Sequence, residues 1–129
     1  MRSRTEGLGA EAKRRIMVGT FALSAGYFDQ YYKQALRMRA KIREDYEQVF
    51  GAVDFLVTPT TTSVAFQFGE KMSDPLQMYL EDIFTVSLNL AGIPGVSIPA
   101  GWKEIDGKRL PFGFQLIAPW GKDFEMLEA

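Results

Sequence analysis

Cysteine and histidine are both absent from this chain of 129 residues. Without cysteine the chain can form no disulfide, offer no thiolate nucleophile and bind no metal through sulfur. Without histidine it lacks the commonest general base and the commonest metal ligand. These absences exclude a Ser-His-Asp or Cys-His mechanism built from this chain alone, and we predict that the chain has no metal site.

Long apolar segments are also missing. No apolar run approaches the roughly 18 residues that span a bilayer, and residues 1–7 lack the apolar core of a signal peptide. We therefore expect a soluble, cytoplasmic protein that makes no membrane contact. The composition is globular, with 47% hydrophobic and 24% charged residues, and the length suits one domain or a piece of one.

The charge is nearly balanced over the whole chain but not along it. The formal net charge of −1 gives no overall attraction for nucleic acid or acidic membranes. Lys and Arg outnumber Asp and Glu ten to six in residues 1–48, whereas they are outnumbered five to ten in residues 49–129. The first half could face an anionic partner, but a solvated helix surface balanced by the acidic half is the simpler interpretation.

Apolar residues at helical spacing predict two helices in the first part of the chain. Residues 10–24 form the first, with Gly26 just beyond as its stop. Residues 28–50 form the second, with Gly51 as a C-cap candidate. One side of this second helix is rich in aromatic residues, and we expect that face to need a partner.

Shorter elements are predicted in the second part. Residues 53–58 are predicted to form a buried strand that ends before Pro59, and a loop is predicted over residues 59–73. Ser73 or Asp74 can cap a helix that has Pro75 in its first turn. The remaining predictions are a helix over residues 85–90, strands over 95–98 and 112–117 around an Asp106-Gly107 turn, and a final helix beginning at 122–129.

Three strands are few for an independent domain of the α/β class. The order of elements is two helices, a strand, a helical stretch, a hairpin and the start of a helix. We therefore favour a part of a larger domain centred on a sheet. A small self-contained α+β domain is the alternative.

Two kinds of charged residue could hold a ligand. Arg14 and Arg15 offer rigid guanidinium forks suited to a carboxylate or a phosphate. Asp82 lies between apolar neighbours, and a carboxylate that is partly buried there would need a cation or hydrogen-bond donors. Judged from spacing alone, solvated helix arginines and a surface or capping aspartate are the simpler interpretations.

Hydroxyl groups are concentrated in residues 58–63, directly after the predicted strand. Loops at the carboxyl ends of strands often bind ligands in α/β folds. Because the chain has no histidine to activate a hydroxyl, we expect these side chains to make local hydrogen bonds rather than to act as nucleophiles.

The most specific segments are a Gly- and Pro-rich stretch over residues 89–101 (Asn-Leu-Ala-Gly-Ile-Pro-Gly-Val-Ser-Ile-Pro-Ala-Gly) and its returning partner over residues 110–117 (Leu-Pro-Phe-Gly-Phe-Gln-Leu-Ile). Residues 6–17, with Lys-Arg-Arg-Ile-Met, and residues 74–82, with Asp-Pro-Leu and Met-Tyr, add to the pattern. On these segments the chain resembles the amidase-signature family over essentially its whole length. The resemblance is strongest to the tRNA-dependent amidotransferase members.

The resemblance implies the fold and the chemistry. It implies an α/β fold in which residues 1–129 are the C-terminal part of a single amidase domain, with helices packed on a small part of a mixed β-sheet. Members of this kind hydrolyse glutamine with a Ser-Ser-Lys triad. The ammonia passes to a partner subunit that uses ATP and magnesium to amidate glutamate on mischarged tRNA, and a small third subunit completes the heterotrimer.

The resemblance also implies roles for two residues. Arg15 and Asp82 match the family positions that hold the α-carboxylate and the α-amino group of glutamine. The triad and its Gly- and Ser-rich region have no counterpart here, so we expect no catalytic residue, no bound cofactor and no activity of this chain alone. Ser87 stands where the family pattern leads us to expect proline, which predicts a local difference in that turn.

Two alternatives remain open from the sequence. The chain could be part of another amidase-signature hydrolase that acts on small amides. It could instead be a non-catalytic binding module that uses the aromatic face of the helix over residues 28–50.

Overall fold

The computed structural model describes residues 5–70 and 75–129. The chain divides into two compact units, Met1–Ala40 and Lys41–Ala129, which are described separately below. Each helix and strand takes its bounds from the backbone. In chain order they are α1 (Ala10–Ala22), a π-helical turn (Phe28–Tyr32), α2 (Lys33–Phe50), β1 (Leu56–Pro59), α3 (Pro75–Glu81), α4 (Ile83–Ala91), β2 (Gly95–Ile105), β3 (Lys108–Ile117) and α5 (Asp123–Glu128).

The helix predicted for residues 10–24 is confirmed as α1 and ends two residues earlier. Gly9 precedes it in extended conformation, and the Gly9 carbonyl accepts the first helical hydrogen bond from Lys13. Glu11 lies in the first turn, where a negative charge favours the positive end of the helix dipole. Gly26 has φ +90°, a conformation that glycine adopts without steric cost, and the chain turns there as predicted.

The second predicted helix is helical throughout, but its first five residues form a π-helical turn before α2 begins. Aromatic side chains four residues apart meet here: the rings of Phe28 and Tyr32 stack with centroids 4.9 Å apart, and those of Tyr27 and Tyr31 are tilted with centroids 5.9 Å apart. All four rings are exposed. The aromatic face predicted from the sequence therefore exists and lies at the surface of the first unit.

The sheet of the second unit has the strand order β1-β3-β2, and both pairings are antiparallel. The α/β class is confirmed, although none of the pairings among the described strands is parallel. The β2–β3 hairpin turns at Asp106 and Gly107, which have φ 51° and 71°. Positive φ at both central residues is the geometry that two-residue hairpins require, so the predicted turn is confirmed.

Strand β1 differs from its prediction as a buried strand over residues 53–58. It begins at Leu56, includes Pro59 and forms an edge of the sheet with β3 as its only described neighbour. The Val57 side chain is 64% exposed. An edge position explains the presence of Pro59, which can lack a donor on the unpaired side. The exposure of Val57 follows from the alternation of faces along the strand, in which Leu56 and Thr58 are half-buried and Val57 and Pro59 are exposed.

The buried core residues of the second unit come from α4, from the end of β3 and from α5. The buried apolar residues in the described part of the chain are Leu88, Ala91, Ile117, Ala118 and Met126. Leu88 packs closely on the sheet, since a Cβ atom added at Gly95 would lie 2.8 Å from its Cδ1. Gly92, with φ 74°, ends α4 in left-handed conformation and donates its N–H to the Leu88 carbonyl at 2.8 Å.

Ser87 lies in the middle of α4, which continues through it without a break. The Ser87 hydroxyl is hydrogen-bonded to the Tyr46 hydroxyl of α2 at 2.7 Å. A proline at this position would supply neither the hydroxyl nor a helical N–H. The departure from the family pattern is thus accompanied by a specific contact between α2 and α4.

Helix α3 begins at Pro75, as predicted, whereas the proposed caps Ser73 and Asp74 lie outside the described residues. The final helix is confirmed as α5. Among the helices of the described residues, none is long and apolar enough to cross a membrane.

Candidate functional site

Arg15 lies on α1, one turn after Glu11. Its Nε donates a hydrogen bond to the Glu11 Oε1 at 2.9 Å, and its side chain is 68% exposed. Arg14 pairs with the other carboxylate oxygen of Glu11. The hydrogen bond from Arg15, with a further contribution from Arg14, lowers the pKa of the Glu11 carboxyl below its ordinary value. The first unit therefore presents two guanidinium groups and one ionised carboxylate at a solvent-exposed turn.

We predict that replacing Arg15 by alanine raises the Glu11 pKa toward its ordinary value. Because the folded-state pKa is lowered, this ion pair stabilises α1 above the ordinary pKa of Glu11 and is lost as the pH falls through the lowered one. An NMR titration of the Glu11 side-chain carboxyl measures the shift. Arg14→Ala should raise the pKa less, and an unchanged value in the Arg15→Ala variant would contradict the assignment.

Asp82 lies at the junction between α3 and α4 and is tied to both. Its N–H donates to the Tyr79 carbonyl at 3.2 Å, and its carbonyl accepts from the N–H groups of Thr85 and Val86 at 3.0 and 2.9 Å. The carboxylate makes no capping hydrogen bond to α4 and is exposed. The backbone is thus fixed while the charged oxygens remain open to solvent at the amino end of a helix.

A shallow recess of about 320 Å³ is lined by the sequence neighbours of Asp82 but not by Asp82 itself. Its lining residues are Thr62, Gln77, Leu80, Glu81 and Ile83. Ser63 closes the loop onto this junction, because its hydroxyl lies 3.0 and 3.1 Å from the two carboxylate oxygens of Glu81. A larger open cleft of about 800 Å³ lies between residues 63–70 and the hairpin end at residues 105–110, and Asp82 does not line it.

The hydroxyl-rich loop makes one local hydrogen bond of the kind predicted, from Thr61 to Ser63, and also bonds to residues distant in sequence. Thr60 Oγ1 and Ser97 Oγ lie 2.8 Å apart, and the Thr61 hydroxyl donates to the Ser63 carbonyl at 2.7 Å. Gly113 lies on β3, between β1 and β2 in the sheet, and a Cβ atom added there would lie 2.9 Å from Ser97 Oγ. The loop is therefore fastened to the end of the sheet by its own side chains.

Gln115 is a polar residue of this region that the sequence reasoning missed. It occupies the central strand β3 and is only 5% exposed. Its Nε2 donates to the Phe84 carbonyl at 2.9 Å and to Thr58 Oγ1 at 3.2 Å. The one available signal was a glutamine inside the apolar run of residues 112–117, where a buried amide must find partners.

The two predicted site residues fall in different units, Arg15 in Met1–Ala40 and Asp82 in Lys41–Ala129. Within its own unit each is a charged, exposed side chain on a well-defined helical turn. Among the described residues, no group of three acidic side chains is arranged to hold a metal ion.

Comparison with known proteins gives consistent matches along the chain. The family model described as Amidase matches residues 1–127. The A subunit of glutamyl-tRNA(Gln) amidotransferase from Carboxydothermus hydrogenoformans is 60% identical over 124 residues, which are 96% of this chain and 24% of that protein. The protein of the same name from Thermodesulfovibrio yellowstonii is 55% identical over 97% of this chain and 25% of its own length. The chain spans about a quarter of the length of these curated relatives.

Two solved structures of amidase-type proteins superpose on the chain. The crystal structure of the A subunit of glutamyl-tRNA(Gln) amidotransferase from Thermotoga maritima superposes with a TM-score of 0.68 at 40% identity, covering 96% of this chain and 27% of that one. A bacterial aryl acylamidase of the amidase-signature enzymes superposes with a TM-score of 0.61 at 25% identity, covering 89% of this chain and 24% of that one.

Proposed function

The chain belongs to the amidase family, and from this premise we propose that it is the C-terminal part of the glutamine-hydrolysing A subunit of a tRNA-dependent amidotransferase. Membership confirms the resemblance given by the hairpin and helix segments. The proposal goes further, because it assigns an activity that belongs to the complete subunit. This chain would supply the residues that hold glutamine and not those that cleave it.

One observation carries the proposal. The chain is 60% identical over 96% of its length to the A subunit of one glutamyl-tRNA(Gln) amidotransferase, and relatives from other bacteria with the same name match over similar shares. Identity at this level along nearly the whole chain favours the same substrate over a merely shared fold. The relatives are about four times longer, so the complete subunit is the unit to which the activity is assigned.

The proposed roles of Arg15 and Asp82 are those that the family resemblance implies, and the charges of the two side chains suit them. The Arg15 guanidinium can bind the α-carboxylate of glutamine through two parallel hydrogen bonds, and the Asp82 carboxylate can accept from the α-ammonium. A simple amide lacks both charged groups. The pair would therefore select a free amino acid, leaving the side-chain amide to be placed at the nucleophile.

The remaining steps are assigned to other parts of the assembly. A Ser-Ser-Lys triad outside residues 1–129 of the complete subunit would convert glutamine and water into glutamate and ammonia. The ammonia would pass to a partner subunit that uses ATP and magnesium to amidate Glu-tRNA(Gln), with a third subunit completing the complex. We assign no cofactor to this chain, and tRNA would contact it only through the assembly.

Ammonia release by the complete subunit, assembled with its partners, tests the proposal. We expect turnover of glutamine, with aryl acylamides and simple aliphatic amides used at least about 100-fold less efficiently, because they lack the charged groups that Arg15 and Asp82 would bind. The 129-residue chain alone should release no ammonia. A complete enzyme that prefers an aryl acylamide would contradict the assignment.

A second candidate function is hydrolysis of aryl acylamides. The superposition on a bacterial aryl acylamidase with a TM-score of 0.61 favours it as the alternative within the same family. The same assay separates the two, since an aryl acylamidase should show no preference for a free α-carboxylate and α-ammonium.

A further inference from the structure

Gln115 has an unusual position for a polar side chain. It lies near the carboxyl end of the central strand, where its Cα partners are Thr58 of β1 and Ser97 of β2, and it is 5% exposed. Burying an amide without hydrogen bonds is costly, whereas leucine or valine would fill such a position without needing partners. Its buried amide is therefore most simply explained by the bonds that it makes.

The orientation of the amide follows from its partners. The Phe84 carbonyl can only accept a hydrogen bond, so the group 2.9 Å from it must be the nitrogen of Gln115 and not the oxygen. The same nitrogen lies 3.2 Å from Thr58 Oγ1. Gln115 thus joins β3, the edge strand β1 and the first turn of α4 through one NH2 group.

This contact fixes the end of α4 that bears Asp82. Phe84 is two residues after Asp82, and the Asp82 carbonyl is itself bonded to the N–H groups of Thr85 and Val86 in the same turn. Leu88 anchors the following turn by packing closely against Gly95. Helix α4 therefore has an apolar anchor at Leu88 and a polar anchor at its amino end, and the polar anchor is Gln115.

We propose that Gln115 is a positioning residue for glutamine binding, which acts by holding the first turn of α4 on the sheet so that the Asp82 carboxylate meets the substrate ammonium. This inference rests on the proposed function. Loss of the Gln115 donors leaves Leu88 and the Ser87–Tyr46 hydrogen bond to hold the later turn of the helix but frees its amino end. Asp82 then samples positions in which its carboxylate no longer matches the ammonium, and binding weakens although no residue of the triad is changed.

The test uses the complete subunit in its assembly and the variant Gln115→Met, which keeps the length of the side chain and removes both N–H donors. We expect the KM for glutamine to rise about ten-fold, within the range of coupling between residues of one network, while kcat stays within about two-fold. The matched control is Ile117→Val, which removes a buried methylene from the same strand and has no polar contact with α4. It should lower stability without changing KM.

A double-mutant cycle with Asp82→Ala shows whether Gln115 acts through Asp82. We expect Gln115→Met to have no further effect on KM once Asp82 is removed. An equal rise of KM in both backgrounds, or an unchanged KM in the single variant, overturns the inference. If the methionine variant does not fold, Gln115→Asn carries the same test, because its amide is one methylene too short to reach both acceptors.

The cycle also separates this inference from the proposed function. If Asp82→Ala leaves the KM for glutamine unchanged, the proposed role of Asp82 fails. If Asp82→Ala raises KM and Gln115→Met does not, only the positioning role fails.

Discussion

We expect alanine at Arg15 or at Asp82 to lower kcat/KM for glutamine in the complete subunit by about thirty-fold to a few thousand-fold. This is the factor expected when one partner is removed from a hydrogen-bonded charge pair. The effect should be specific to glutamine, because the two residues are proposed to bind its α-carboxylate and α-ammonium. Steady-state ammonia release measures the loss of kcat/KM. The ratio of kcat/KM for glutamine to kcat/KM for a simple amide should fall by a similar factor.

Conservative variants sharpen this prediction. Arg15→Lys keeps the charge but loses the planar fork, so we expect an intermediate loss. Arg14→Ala is the matched control for Arg15, since Arg14 also pairs with Glu11 and has a similarly exposed side chain. Asp45→Ala on α2 is the control for Asp82, as it removes another exposed carboxylate. Wild-type kinetics in both Arg15→Ala and Asp82→Ala would refute the proposed roles.

The helices were the most predictable part of the fold. Apolar spacing and terminal glycines gave α1 to within two residues, and the left-handed Gly92 ended α4 where the sequence indicated. These signals are local, because a helix satisfies its hydrogen bonds within the segment and a glycine stop depends only on its own φ. The π-helical turn at Phe28–Tyr32 had no such local signal.

The strands were less predictable because pairing decides them. Residues 95–98 and 112–117 carry the apolar residues, yet β2 and β3 continue to Ile105 and back from Lys108 through largely exposed residues. The Asp106-Gly107 turn pairs these exposed segments and so extends the hairpin, with one register shift between Pro99 and Gly101. The burial of β1 was predicted from its composition, but burial depends on which sides of a strand are covered.

The residues of the candidate site also differ in how far the sequence indicates them. Arg15 and Asp82 were selected by resemblance, since charged residues on helices are most often solvated and spacing alone gave no reason to single them out. The anchoring contact from Gln115 to Phe84 joins residues 31 positions apart. A contact of this kind follows from packing a helix on a sheet, and nothing in either segment alone indicates it.

Removing the apolar anchor of α4 should have the largest effect on stability. Leu88→Ala deletes a side chain that is 6% exposed and packs against Gly95. We expect the free energy of unfolding of the second unit to fall by about 2–5 kcal/mol, the sum of lost transfer energy and the cavity left behind. Urea unfolding of the 129-residue chain, followed by circular dichroism, measures the change.

Leu127→Ala is the matched control, because it makes the same chemical change in a side chain that is 68% exposed. Its effect should stay within about 0.5 kcal/mol. Equal losses in the two variants would mean that Leu88 is not a core residue. The distinction matters for the site as well, since Leu88 and Gln115 hold consecutive turns of α4. A helix that loses Leu88 is held on the sheet only by polar contacts such as that of Gln115, so in the complete subunit the same substitution should also weaken glutamine binding.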